Sequence, residues 1–343
     1  MFGITQTCTE VSGIRADDIP DWITRGNEPV ILRGLVKHWP LVAHGHSGPV
    51  AAMDYLRSFY NGRPTMIYQG ASDINGRYFY NDNATALNYT STRGSVTDML
   101  EQVARTLGKT SCPSLYIASN QIDTHFPGLR DYNDITLTPA TTTKPLAPPL
   151  ASIWIGNRSL ASCHFDTLYN IACCAVGHRR LALFPPDQIA NLYPGPLETT
   201  PGGQVISMVD FHQPDYTRYP RFRQAQAAGK LAELAPGDAI FIPTMWWHQV
   251  EGLAPFNVLI NYWWNPSARY LDNGMSALMH AMLAIRDKTG PEKAAFKALF
   301  DYYIFNDEPA GSHLPEEARG MLSELDEATA RQLRAMLVNQ LNR

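Results

Sequence analysis

Between residues 151 and 265 one short apolar run follows another: "ASIWIG", "YNIACCAVG", "RRLALFPP", "GDAIFIPTMWW" and "FNVLINYWW". Each run is rich in β-branched and aromatic residues and is bounded by Gly or Pro, the pattern of buried strands. No long helical pattern separates them. A parallel α/β sheet, which needs a crossover helix between strands, is therefore disfavoured. The expectation is a mainly β fold, a sandwich or barrel closed around one core.

The flanks differ. Upstream, "PVILRGLVKHWP" (29–40) reads as a strand and a turn, and "GPVAAMDYLRSFY" (48–60) has apolar residues at helical spacing. "SVTDMLEQVARTLG" (95–108) is a second helix, with Ser95 and Asp98 as a capping box and Gly108 closing it. "SLYIASN" (114–120) is strand-like. The polar stretches 61–94 and 121–150 read as loops, ending in the Pro- and Thr-rich "LTPATTTKPLAPPL" (137–150). After 266 the strands stop, and helices are expected over 277–290, 291–305, 315–325 and 326–341. Pro291 and Pro315 suit first-turn positions, and Leu333, Met336, Leu337 and Leu341 form a stripe. The organisation is a domain over 1–265 with its β-rich core at 151–265, followed by a helical region over 266–343 suited to dimerisation.

Of the 343 residues, 45% are hydrophobic and 17% charged, so a sizeable core is expected. A net charge of −4 shows no basic excess, which disfavours nucleic acid as an obligatory partner while leaving room for a local basic groove. No apolar run reaches the length of a membrane span, and "MFGITQTCTEVSG" lacks the pattern of a secretory signal. The five cysteines are odd in number and contain no CxxC, so a disulfide framework is not expected and a reducing, cytoplasmic setting is. Cys173 and Cys174 alternate faces of a strand and read as small buried side chains.

One polar pair interrupts the apolar pattern. "SCHFDTLYN" (162–170) places His164 and Asp166 two apart on a strand, hence on one face. An imidazole and a carboxylate aimed at one spot in an apolar setting cost free energy unless something holds them. A divalent metal is one answer and a hydrogen-bonded core pair is another. Two His and one carboxylate on one side of a metal leave positions open, which suits non-haem Fe(II). Of the ten histidines, His248 stands out, because it ends the buried run "PGDAIFIPTMWWHQVEG" beside two tryptophans. A surface histidine just beyond a strand end is the competing reading. Trp246, Trp247, Tyr262, Trp263 and Trp264 are candidate walls of a cavity, or plain core.

"HFD" with the distant "PTMWWHQV", together with "LFPPDQIANLYPG" and "VDFHQPDYTRYPRF", resembles the cupin-like, Jumonji-type (JmjC) dioxygenases, and within them the asparaginyl hydroxylases. The likeness runs from about residue 25 to 265 and is densest after 151. It implies a double-stranded β-helix, or jelly roll, with surrounding helices, and a homodimer formed through the C-terminal helices. It implies Fe(II) held by His164, Asp166 and His248, with 2-oxoglutarate as cosubstrate. Arg179 stands where the asparaginyl hydroxylase likeness has a lysine for the distal carboxylate of that cosubstrate, and a bidentate guanidinium can serve the same end. Tyr116, Asn170 and Asn261 match cosubstrate-binding positions, whereas Ala161 replaces a threonine and removes one hydrogen bond. The implied activity is hydroxylation of a side chain in a peptide or protein, or of a small molecule, with no membrane involved. The residues leave two alternatives open: a non-redox metalloenzyme on the same barrel, and a non-catalytic metal-binding sensor or scaffold.

Overall fold

The computed structural model describes residues 1–137 and 145–342. Half of the expected surface loop 137–150, residues 138–144, thus lies outside the described residues. Contacts divide the chain into two compact units, Met1–Ala140 with Pro148–Asn265, and Thr141–Ala147 with Pro266–Arg343.

The first unit is a jelly roll. Its strands are β1 (Gln6–Thr7), β2 (Thr9–Ser12), β3 (Val30–Arg33), β4 (Thr65–Gly70), β5 (Arg77–Tyr78), β6 (Tyr89–Gly94), β7 (Ser114–Gln121), β8 (Leu150–Gly156), β9 (Ser159–Phe165), β10 (Tyr169–Val176), β11 (Arg179–Phe184), β12 (Lys230–Leu234), β13 (Ala239–Ile242), β14 (Trp247–Gly252) and β15 (Asn257–Trp264). They form a six-stranded sheet, β1-β12-β11-β14-β9-β5, and a nine-stranded sheet, β2-β3-β13-β10-β15-β8-β7-β4-β6. Both are mixed, because β1, β2 and β5 pair in parallel with β12, β3 and β9. All five runs from 151 to 265 are strands, as their composition requires.

The continuous apolarity of β10 has a direct cause: both of its faces are covered. Ile171, Cys173 and Ala175 join the cluster that packs the nine-stranded sheet against the helices Pro40–Ser47, Pro49–Phe59 and Val96–Ala104. Ala172 and Cys174 point the other way, into the sandwich, with Leu181, Leu183, Ile240 and Leu259. Two adjacent cysteines therefore belong to two different cores. The helix Pro49–Phe59 buries Ala52, Met53 and Leu56 on one stripe, and truncating a side chain like Leu56 to alanine costs about 2–5 kcal/mol.

Three sequence expectations are corrected. The stretch 61–94 contains β4 and β6, which pair with each other at one edge of the larger sheet. It reads as loop because β6 is largely exposed and polar, as a solvated edge strand must be. The helix after Ser95 runs only over Val96–Ala104, and the Ser95 hydroxyl accepts from the Thr97 amide at 3.1 Å rather than closing a box with Asp98. The helix expected over 315–325 shrinks to Glu316–Arg319 plus a single tight turn, because Gly320 takes φ of 51° and breaks the ladder. Pro315 caps that helix, whereas Pro291 does sit in a first turn.

In the second unit the helices Gly274–Ile285, Gly290–Tyr303 and Glu327–Leu341 are individually well capped. Asn273, Thr289 with Glu292, and Asp326 satisfy their first amides. Yet the first two bury none of their residues and the third buries only Ala330. No described helix is long and apolar enough to cross a membrane.

Candidate metal centre and its cavity

β9 and β14 are antiparallel neighbours, and their register sets His164 directly opposite His248. The imidazoles lie 4.4 Å apart between ring centroids. Asp166 follows two residues after His164, just past the end of β9, and so shares its face. Its Oδ2 is 3.6 Å from His248 Nε2. One ligand atom from each of His164, Asp166 and His248 lies within 4.8 Å of the others. The three residues singled out 84 positions apart in the chain thus meet at one point.

Their hydrogen bonds fix which ring nitrogen is free. His164 Nδ1 is 2.8 Å from the Ser162 carbonyl, and His248 Nδ1 is 2.9 Å from the Trp246 carbonyl. A carbonyl can only accept, so each Nδ1 carries the proton and each neutral ring keeps its Nε2 lone pair. Burial, and then the neighbouring His164, lower the pKa of His248 to about 4, against the opposing pull of Asp166. Neutral imidazole is the form that ligates a metal. Two imidazole nitrogens and one carboxylate, gathered on one side and open on the other, are a donor set that fits a divalent transition metal.

Backbone strain holds the ligand loops together. Met245, two residues before β14, has φ of 64°, in the left-handed region that a methionine rarely occupies. There its amide donates to the Asp166 carbonyl at 2.8 Å. The strain, about 1–3 kcal/mol, ties the β13–β14 turn to the turn that carries Asp166. On the other side, Ile206 bridges to His164 and the Ser207 amide donates to the Cys163 carbonyl at 2.7 Å. The segment bearing Pro201, Gly202 and Gln204 is thereby laid along the cavity.

The three ligands open into a cavity of about 230 Å³ within the sandwich. Tyr116, Asn170, Arg179 and Asn261, the other residues picked out from the sequence, all line it. Asn261 Nδ2 donates to Asn170 Oδ1 at 3.2 Å, and Trp154 Nε1 donates to Asn261 Oδ1 at 2.7 Å, which orients both amides. Tyr116 stacks on Tyr78 at 5.6 Å, and burial raises its pKa to about 12 despite the nearby Arg179 charge. Arg179 is the unusual member. It is only 3% exposed, and its Nε has no hydrogen-bond partner. Among the described residues no carboxylate pairs with it. Arg180 faces the other way and pairs with Glu233 and Glu251.

Of the aromatic residues expected as walls, Trp263 alone lines the cavity; Trp246, Trp247 and Tyr262 are buried in the cores. Sequence reasoning missed the aromatic wall formed by Tyr68, Tyr78, Tyr89 and Trp154. Tyr68 and Tyr89 lie on β4 and β6, within the stretch read as loop. Their signal was the alternation of "TMIYQG", diluted by its polar residues.

A jelly roll whose β9 and β14 gather two histidines and an aspartate at one end of an internal cavity defines a cupin-type protein with a candidate metal site. The chain belongs to the cupin-like domain family, whose model matches residues 16–270. It is similar to HSPB1-associated protein 1 of Bos taurus, 37% identical over 117 residues, which is 33% of this chain and 23% of that protein. It is similar to lysine-specific demethylase JMJ31 of Arabidopsis thaliana, 32% identical over 130 residues, 37% of this chain and 23% of the relative. A longer match is to Jumonji C domain-containing protein 5 of Drosophila melanogaster, 23% identical over 269 residues, 76% of this chain and 61% of the relative. The match thus spans about a quarter of the first two relatives' length.

Proposed function

We propose that the chain is an Fe(II)- and 2-oxoglutarate-dependent dioxygenase that hydroxylates a side chain of a peptide or protein, or a small molecule, as the asparaginyl hydroxylases its motifs resemble do. The observation that carries this reading is Arg179. A buried guanidinium without a counter-ion demands an anion, and it shares one cavity with a facial His-Asp-His cluster. A scaffold or a metal site that takes no anion leaves that demand unexplained.

When bound, Fe(II) would couple the oxidative decarboxylation of 2-oxoglutarate to oxygen insertion into a substrate C–H bond. His164, Asp166 and His248 would hold it from one side and leave its cavity side open. Arg179 takes the distal carboxylate with parallel N–H donors. The Tyr116 hydroxyl is a further donor in the same wall, and its raised pKa keeps it protonated at neutral pH. Asn170 and Asn261, fixed by each other and by Trp154, present oriented amides. The aromatic wall excludes water from the reacting end.

All five cysteines are free, in keeping with the reducing, cytoplasmic setting proposed for the chain. We further propose that two copies associate through their C-terminal helices. Leu283, Ile304 and Phe305 are 79%, 67% and 73% exposed, apolar side chains that a second copy would cover.

The test is anaerobic. Protein with Fe(II) and 2-oxoglutarate should develop the visible metal-to-cosubstrate absorption of such chelates, and Asp166→Ala should abolish it. Binding of Fe(II) without any response to 2-oxoglutarate overturns the reading.

A further inference from the structure

The deep end of the cavity holds a pairing that the family likeness does not account for. Arg179 on β11 stands directly opposite Gly252 on β14. A Cβ built on Gly252 would fall against Arg179 Nη1, well inside van der Waals contact, and 3.1 Å from Asn257 Nδ2. The space left by the missing side chain is where the guanidinium lies. Gly252 is not among the residues with positive φ, so its backbone accepts alanine and only this space opposes one.

Two neighbours could yield to an added methyl, and they differ. Asn257 is fully buried. Its Nδ2 donates to the Ala254 and Asn157 carbonyls at 2.6 and 3.2 Å, and its Oδ1 accepts from the Ala254 amide at 3.3 Å. It is pinned on both sides. The Arg179 guanidinium is the free end of a long side chain with an unpartnered Nε. The methyl therefore displaces Arg179.

We propose that Gly252 is the positioning residue for cosubstrate recognition: its lack of a side chain admits an arginine at position 179 and aims the guanidinium at the distal carboxylate of a dicarboxylate. This rests on the 2-oxoglutarate reading above. It also accounts for the arginine-for-lysine departure, because a lysine has no planar fork to house and does not need the space beside β14.

The experiment is a double-mutant cycle on the full chain, loaded with Mn(II) in the absence of oxygen. Calorimetry gives the Kd of 2-oxoglutarate for the wild type, Gly252→Ala, Arg179→Lys and the double variant. Gly252→Ala should weaken 2-oxoglutarate binding by about tenfold or more, the scale of one charge-assisted hydrogen bond lost when the guanidinium is turned away. Its Mn(II) affinity and melting temperature should stay at the wild-type values, which a general packing defect would not allow. On the Arg179→Lys background the same change should alter Kd by less than about threefold. An unchanged Kd in Gly252→Ala, or equal losses on both backgrounds, overturns the proposal while leaving the dioxygenase reading intact. A wild type that binds Mn(II) and ignores 2-oxoglutarate removes both. If Gly252→Ala fails to fold, the double variant decides. Its folding and binding place the clash on the guanidinium; its failure places the clash on Asn257 and overturns the proposal.

Discussion

Replacing Arg179 with methionine should make the ligand-free protein more stable and the ligand unable to stabilise it further. The side chain is 3% exposed, its Nε is unpartnered, and its neighbours on the cavity face of the sheet are Leu181 and Val250. The effective penalty for an ion taken out of water is several kcal/mol. An anion repays it when bound, and nothing on the chain does so beforehand. Methionine keeps the apolar stem and most of the volume without the charge. Exchanging a poorly compensated buried charge for an apolar side chain of similar volume gains about 1–3 kcal/mol, within the range seen for buried ionic groups. At about 2–4 °C per kcal/mol for a unit of this size, Tm of the metal-free, ligand-free protein should rise by roughly 2–12 °C. Adding Mn(II) and 2-oxoglutarate at about a hundred times Kd should then raise the wild type by the equivalent of about 2.7 kcal/mol. In Arg179→Met, 2-oxoglutarate should add nothing beyond the effect of Mn(II). Differential scanning calorimetry in the four conditions reads both effects. An Arg179→Met protein that melts below the wild type without ligand refutes the reasoning, because the guanidinium would then be satisfied by the chain itself.

His164→Ala and Asp166→Ala should each weaken Mn(II) binding by more than the roughly 10–100-fold that outer partners of a metal site cost, with little change in far-ultraviolet circular dichroism; calorimetric titration checks it. Burial pushes the Cys8 and Cys174 thiols up to about 12, and raises Cys163 and Cys173 well above the ordinary thiol value. Because the thiolate is the reactive form, a native-state thiol titration at pH 8 should find no fast reaction beyond Cys112, and denaturant should release all five. Light scattering should give twice the chain mass for the wild type and the chain mass for Leu283→Glu with Ile304→Glu; a wild-type monomer ends the dimer proposal.

The strands from 151 to 265 were legible because β10, β13 and β15 are covered on both faces and leave an unbroken apolar trace. β4 and β6 were not, because an edge strand is half solvent and its polar residues imitate a loop. The cluster of His164, Asp166 and His248 was legible for the converse reason: a polar group in an apolar strand is a conflict that a site resolves. His248, with Trp247 and Gln249 buried beside it, could be placed. Tyr78 and Trp154 could not, since an aromatic residue on a strand looks the same whether it packs a core or walls a cavity. Gly252 was illegible for a different reason. Its importance lies in what stands across the ladder from it, and no single-strand pattern carries that.

His248 and Gly252 are four residues apart on β14, and their partners on β11 are Leu183 and Arg179 in unbroken register. At about 3.3 Å per residue, the metal end and the cationic end of the cavity are separated by about 13 Å of β-ladder. A hydrogen-bonded ladder does not stretch, so the sheet is a measuring rod with the ligands at one mark and the guanidinium rooted at the other. Side chains alternate along a strand, so moving the cation along β11 changes the distance only in steps of two residues, about 6.6 Å. Any finer setting has to come from the side chain that bridges the gap. On the 2-oxoglutarate reading proposed above, diacid length would be a coarse property of register and a fine property of one residue, and a cosubstrate one methylene longer would call for a shorter cation rather than a new sheet.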